Sequence, residues 1–180
     1  MADETRRKQV AAAVIRALES QSGIDVLPAA VALPRILTGI FKMTGFKFTH
    51  IGHGRMRDVF DIVAPGEDLS LVLKLGSKQA TARDIALTLV YPEDRAQIYA
   101  ATDYGIVVER VDCINKISDP RIQTPEYLAR GEEFAKRYVG VSYADTGYIG
   151  DRIVMIGSST RVIKHDEKNA TSSTQQIRTV

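Results

Sequence analysis

The chain has 180 residues, 44% of them apolar and 26% charged, which leaves room for one sizeable hydrophobic core or two very small ones. This composition excludes collagen-like, disordered and membrane-spanning chains. Twenty-four Lys and Arg stand against 22 Asp and Glu, and a formal charge of +2 is far from the field of a protein that wraps nucleic acid.

The single cysteine, Cys113, has no second thiol or nearby histidine, so it reads as a structural residue in a reducing compartment. The opening MADETRRKQV is charged, and the AAAVIRAL that follows is too short for the apolar part of a signal peptide; a cytoplasmic protein is expected. No stretch reaches the ~20 apolar residues of a spanning helix, and no membrane partner is expected.

From Asp3 to about Ser20, the apolar residues Val10, Ala13, Val14, Ala17 and Leu18 recur at helical spacing, with Asp3 and Glu4 at the end where helix N–H groups favour acids. The spacing predicts an amphipathic helix docked on the rest of the protein. A second short helix is expected within Leu33 to Gly45. At Phe46 the period changes to two: Phe46, Phe48 and His50 alternate with Lys47 and Thr49. Strands at Asp58 to Val63 and Leu69 to Leu75 follow short turns, which predicts an antiparallel meander.

Ser77 is placed to cap a helix from Lys78 to Val90, stopped by Pro92. Ile106 to Val111 reads as a strand buried on both sides, Asp112 to Pro125 as loop, and Glu126 to Tyr138 as helix. Ile153 to Ile156 and Arg161 to Ile163 flank Gly157 to Thr160, the signature of a hairpin. The Ser/Thr-rich tail from Asp166 reads as polar and mobile.

The sharpest local feature is Gly52-His53-Gly54-Arg55-Met56-Arg57-Asp58-Val59-Phe60 at a strand-turn-strand junction, with Lys74 fifteen residues after Val59 inside the apolar strand LVLKL. Glycines let a backbone approach a phosphate, and a lysine in a core-facing strand needs a carboxylate or a phosphate. A strand follows these glycines rather than a helix, and no Gly-Lys-Ser/Thr ending is present, so neither a dinucleotide fingerprint nor a P-loop is indicated. A Gly-x-Gly pair also serves as a plain turn, and a strand lysine also reaches solvent by its aliphatic stem.

With these residues the sequence resembles the N-terminal lobe of the protein-kinase-like fold over about Phe46 to Val111. There a glycine-rich loop covers ATP and a lysine on strand three meets the phosphates and a carboxylate from the next helix. The resemblance implies that Gly52, Gly54, Arg57 and Val59 cover the nucleotide, with Arg57 in the third-glycine position. It implies further that Lys74 holds phosphates and Asp84 orients Lys74. Within ATDYGIVVERV it implies strands four and five, with Glu109 to Val111 beside the adenine. The resemblance further implies that Tyr143-Ala144-Asp145-Thr146-Gly147 stands at the catalytic loop, with Asp145 as base, and Asp166 at the aspartate that holds Mg²⁺. The HRD triplet is absent, and Glu167 and Lys168 stand in place of Phe-Gly after Asp166.

The expected fold is thus α+β, a small antiparallel sheet with flanking helices in a reduced protein-kinase-like arrangement. Residues 1–45 form an N-terminal helical extension, 46–166 the kinase-like domain and 167–180 a polar tail. The expected function is binding of ATP with Mg²⁺, with phosphoryl transfer if the catalytic parts operate. The missing signatures point instead to a catalytically inactive interaction or regulatory module, of phage or mobile-element type, with a protein partner. A third reading is nucleic-acid binding through Arg6, Arg7, Lys8, Arg55 and Arg57, a group without interleaved aromatics. His50, His53 and His165 have no accompanying acidic or thiol spacing and carry no metal expectation.

Overall fold

The computed structural model describes residues 3–21, 32–54, 57–156 and 161–162. It is an α+β protein of antiparallel sheets with flanking helices, in two compact units. Unit 1 comprises residues 1–82 and 97–110, and unit 2 residues 83–96 and 111–180.

In unit 1, α1 (Glu4–Glu19) begins at an N-cap, where the Asp3 carboxylate accepts from the Arg6 N–H at 2.7 Å. α2 (Ala32–Thr44) ends at Gly45, whose φ of 75° is the left-handed value that stops a helix, with its N–H on the Phe41 carbonyl at 2.7 Å. Five strands follow: β1 (Lys47–Gly54), β2 (Arg57–Val63), β3 (Leu71–Gly76), β4 (Ile98–Thr102) and β5 (Gly105–Glu109). They form one antiparallel sheet in the order β1-β2-β3-β5-β4. The meander read from the sequence is β1-β2-β3.

Strand side chains alternate between faces, and β3 shows what that does here. Leu71, Leu73 and Leu75 are fully buried on one face, in a core with Val10, Val14 and Leu18 of α1, Ile36 and Ile40 of α2, and Phe60, Ile62 and Val107 from neighbouring strands. Each buried leucine contributes about 1.5–3 kcal/mol. Val72 and Lys74 belong to the opposite face. Polar contacts fasten α1 at the rim of this core: Arg6 donates to both oxygens of Glu67 at 2.9 and 2.7 Å, and Glu4 accepts from the Tyr99 hydroxyl at 2.9 Å. The docked amphipathic helix expected from the sequence is observed.

α3 (Lys78–Val90) starts where predicted, with the Ala80 N–H on the Ser77 hydroxyl at 3.2 Å. Its first turn lies in unit 1 and the remainder in unit 2.

Unit 2 adds β6 (Asp112–Cys113), α4 (Pro125–Arg137), β7 (Tyr138–Val139), β8 (Thr146–Ile149), β9 (Arg152–Met155) and β10 (Arg161–Val162). The sheets are β6-β8-β9 and β7-β10. Two expectations need correction. The stretch Asp112 to Pro125 is not all loop, since it opens with β6 and holds a 3₁₀ turn, Pro120–Gln123, capped by Asp119. The stretch Gly157 to Thr160 lies outside the described residues, and the described strands on either side of it do not pair as the expected hairpin would: β9 pairs with β8, and β10 pairs with β7. The alternation that marked both segments as strands carries no information about which strand each will pair with.

The core of unit 2 is Leu87, Tyr91, Phe134, Tyr138, Ile153 and Met155. Beside it Asp94, 0% exposed, accepts from Arg130 at 2.7 Å, from Arg137 at 2.9 Å with each oxygen, and from the Tyr138 hydroxyl at 2.9 Å. Burial and this carboxylate push the Tyr138 hydroxyl well above its ordinary pKa, so it stays a donor.

At Gly147 on β8 a Cβ would stand 2.6 Å from the Asp112 carbonyl oxygen and 2.5 Å from Val111 Cγ1. The backbone atom cannot give way without parting β6 from β8. Gly147→Ala is therefore expected to lower unfolding free energy by about 1–3 kcal/mol, read from urea denaturation; an unchanged midpoint contradicts this packing.

Candidate functional site

The second face of the unit 1 sheet carries the residues expected to meet a nucleotide. In the β2-β3 register Val59 lies opposite Lys74, and in the β1-β2 register Gly52 lies opposite Val59 and Gly54 opposite Arg57. Residues two apart on a strand share a face, so Arg57, Val59 and Lys74 project to the same side, and Asp61 with them. Lys74 is also opposite Ile106 of β5, and on this face Val72, Ile106 and Val108 are buried. A half-buried lysine within an apolar strand surface is thereby flanked by a valine on one side and an isoleucine on the other.

Arg57 lies opposite a glycine on each side, Gly54 on β1 and Gly76 on β3. Its guanidinium donates to the Ala80 carbonyl in the first turn of α3. Asp61, two residues farther along β2 from Val59, is paired with Arg110 at 3.0 Å. Burial pushes its carboxyl above the ordinary range, and Arg110 offsets part of that rise.

The other expected residues are dispersed. Glu109 ends β5 with one oxygen accepting from the Gln97 N–H at 3.0 Å and the other 3.9 Å from Arg7. Asp84 is buried on α3, in unit 2. Val111 precedes β6 and packs beside Gly147. Asp145 sits in the 3₁₀ turn Tyr143–Asp145, where one carboxylate oxygen accepts from the Ser142 N–H at 3.0 Å and from its hydroxyl at 2.8 Å. This reciprocal cap is a structural task for that carboxylate. Asp166, the expected metal ligand, lies outside the described residues, as do Arg55 and His165. Among the described residues no group of three or more His, Cys, Asp or Glu is arranged to hold a metal ion. The basic group of the nucleic-acid reading is drawn onto separate partners, Arg6 on Glu67, Arg7 on Tyr99 at 3.3 Å and Lys8 on Glu4 at 3.4 Å.

Sequence reasoning missed a clasp at the hairpin. The β1-β2 register slips between His50 and Gly52, leaving Ile51 as an extra residue. The bulge reverses the alternation, so His50 and His53, an odd number of positions apart, fall on the same face as Asp58. His50 Nε2 and His53 Nδ1 lie 3.2 and 2.8 Å from the same Asp58 oxygen. Asp58 is only 13% exposed while His53 is 70% exposed, so the carboxylate anchors the rings from within. Bulges have no composition signal beyond the Gly52 that adjoins this one.

Unit 2 has a cavity of about 400 Å³ lined by Ile122, Tyr127, Leu128, Phe134, Val141 and Ile153 among others. It is largely apolar, and none of the expected site residues lines it. Nearby, Arg121 donates to both oxygens of Asp119, the shortest contact at 2.7 Å, and stacks over the Tyr148 ring with its guanidinium carbon 4.9 Å from the centroid.

Comparison with protein-family models finds no match to the chain, and comparison with curated proteins finds none either. No described helix is long and apolar enough to cross a membrane.

The side chain and backbone N–H of Arg121 hold the Asp119 carboxyl down to about 2. A lowered acid contributes stability above its unfolded pKa and loses it as pH falls through the folded value. The stability difference between wild type and Asp119→Asn is therefore expected to hold from neutral pH to about pH 4 and to vanish towards about pH 2. Urea midpoints across that range check it; a difference independent of pH contradicts it.

Proposed function

We propose that this chain binds ATP through the second face of the unit 1 sheet, in a reduced protein-kinase-like fold, and that it acts as a nucleotide-binding regulatory module. The observation that carries this reading is the placement of Lys74, directly opposite Val59 on a face shared with Arg57, in a strand whose other side builds the core. A guanidinium and an ammonium on one face suit the oxygens of a phosphate. Gly52 and Gly54 supply backbone without side chains on the adjoining strand, which favours close approach of a polyphosphate. The order of elements supports the same reading: lysine on the third strand, a helix next, then two strands ending at Glu109.

Phosphoryl transfer has less support than binding. The carboxylate of Asp145 is engaged in capping its own turn. This favours the inactive, partner-regulating form of the reading over a working kinase.

Calorimetric titration with ATP tests the proposal. Lys74→Ala is expected to weaken binding by at least about tenfold, the loss of one charge-assisted contact of roughly 1.5–3 kcal/mol, while keeping the melting temperature. Equal affinity in wild type and Lys74→Ala removes the assignment. Asp145→Ala is expected to lower stability by about 0.5–2 kcal/mol through loss of the cap and to leave ATP affinity unchanged; a fall in affinity with unaltered stability gives Asp145 the ligand role instead.

A further inference from the structure

We infer that the cavity of unit 2 is a binding site for a small, neutral aromatic molecule that carries a hydrogen-bond donor, a phenol-like ligand. The inference goes beyond the nucleotide reading: the strands of that reading belong to unit 1, whereas the residues lining the cavity belong to unit 2.

Three observations carry it. The first is shape. The cavity holds about 400 Å³, and an apolar cavity of about 150 Å³ already accommodates a benzene ring, so a substituted ring fits. α4 forms one wall through Tyr127, Leu128, Gly131 and Phe134, whose spacing of three and four positions puts them on one helix face. Ile117 and Leu128 line the cavity and are nevertheless 71% and 54% exposed, so it opens to solvent between apolar side chains that a bound ligand would cover.

The second is Gly131. It stands inside α4, where glycine is less favourable than any residue except proline. Apart from its neighbours along the helix, no described atom lies within 4 Å of a Cβ built there. Crowding therefore does not ask for glycine at this position. Its effect is to keep the wall open, because a larger side chain would stand in the cavity.

The third is the direction of a hydrogen-bond chain. Thr146, 2% exposed, gives its one hydroxyl proton to the Tyr143 carbonyl at 2.8 Å. The Tyr127 hydroxyl, 2.9 Å from the Thr146 oxygen, is then the donor in that contact. With its proton committed, Tyr127 offers a ligand an acceptor lone pair and no donor. A ligand with an O–H or N–H is recognised there, and one with acceptors alone is not. Phe134, Leu128 and Ile153 in the lining disfavour a charged ligand, which would lose its hydration against them.

The test is calorimetric titration of the whole chain with para-propylphenol, para-fluoropropylbenzene and para-propylbenzoate. The first two have nearly the same shape, and only the phenol has a proton to give. Wild type is expected to bind the phenol at least about threefold more tightly than the fluoro compound, the worth of one modest hydrogen bond, and the benzoate more weakly than the phenol. Tyr127→Phe removes the acceptor and is expected to bind the phenol and the fluoro compound alike. Gly131→Leu fills the cavity and is expected to lose at least about tenfold in affinity for both, with an equal or higher melting temperature because leucine is the better helix former.

Wild type that binds none of the probes, that binds phenol and fluoro compound equally, or that prefers the benzoate overturns the inference. Folded Gly131→Leu that binds the phenol as wild type does also overturns it, since the probe then sits elsewhere. None of these outcomes bears on the nucleotide reading, which the ATP titration decides separately.

Discussion

β3 is the middle strand of the unit 1 sheet, and the two-residue period of its side chains is the constraint on which the rest of that unit depends. Leu71, Leu73 and Leu75 are committed to the core under α1 and α2. That commitment forces Val72 and Lys74 to the other side, and the register with β2 then fixes which residues of the hairpin accompany them. A slip of one residue would turn three leucines outward and bury a lysine among α1 and α2. Core energy and the placement of the candidate phosphate site are thus consequences of one alternation.

Unit 2 is organised around a different interaction. Asp94 is buried, and two arginines and a tyrosine hydroxyl converge on its carboxylate. Those arginines come from α4, where Arg130 also lies over the Phe134 ring at 4.7 Å and Arg137 over the Tyr91 ring at 5.7 Å. A buried carboxylate is tolerated only with such a complement of donors, and removing any partner leaves charge uncompensated in the interior. The network specifies how α4 lies on the short turn Pro92–Asp94 more sharply than apolar packing does, because a guanidinium fork has direction and a methyl group does not.

Local structure was largely legible in the sequence. Helical spacing located α1, α2, α3 and α4, period-two alternation located β1, β2 and β3, and the cap at Ser77 followed from residue type alone. The strand of Ile106 to Val108, buried throughout, was legible from its unbroken apolar run. Within the candidate site the spacing of Val59 and Lys74 was visible as a number of residues, and the observed register turns it into direct opposition across two strands. What escaped was the hairpin of β8 with β9 across Gly150 and Asp151, the pairing of β7 with β10, and the Asp94 network, in which partners are separated by about 40 positions. The clasp of His50 and His53 on Asp58 also escaped, because one extra residue in β1 reverses the face of everything beyond it.

By itself the sequence determined what short-range chemistry determines: where the backbone is helical or extended, which face of each element is apolar, and that a glycine-bearing hairpin precedes a lysine in an apolar strand. Those properties depend on neighbours within a few positions, through steric preference, capping and the period of the chain. The tertiary structure alone decided that Arg57 and Lys74 share a face, and that Asp94 collects its two arginines from α4. Each of these depends on the register or approach of segments far apart in the chain. Such contacts form only when the burial of whole faces offsets the entropy of bringing those segments together.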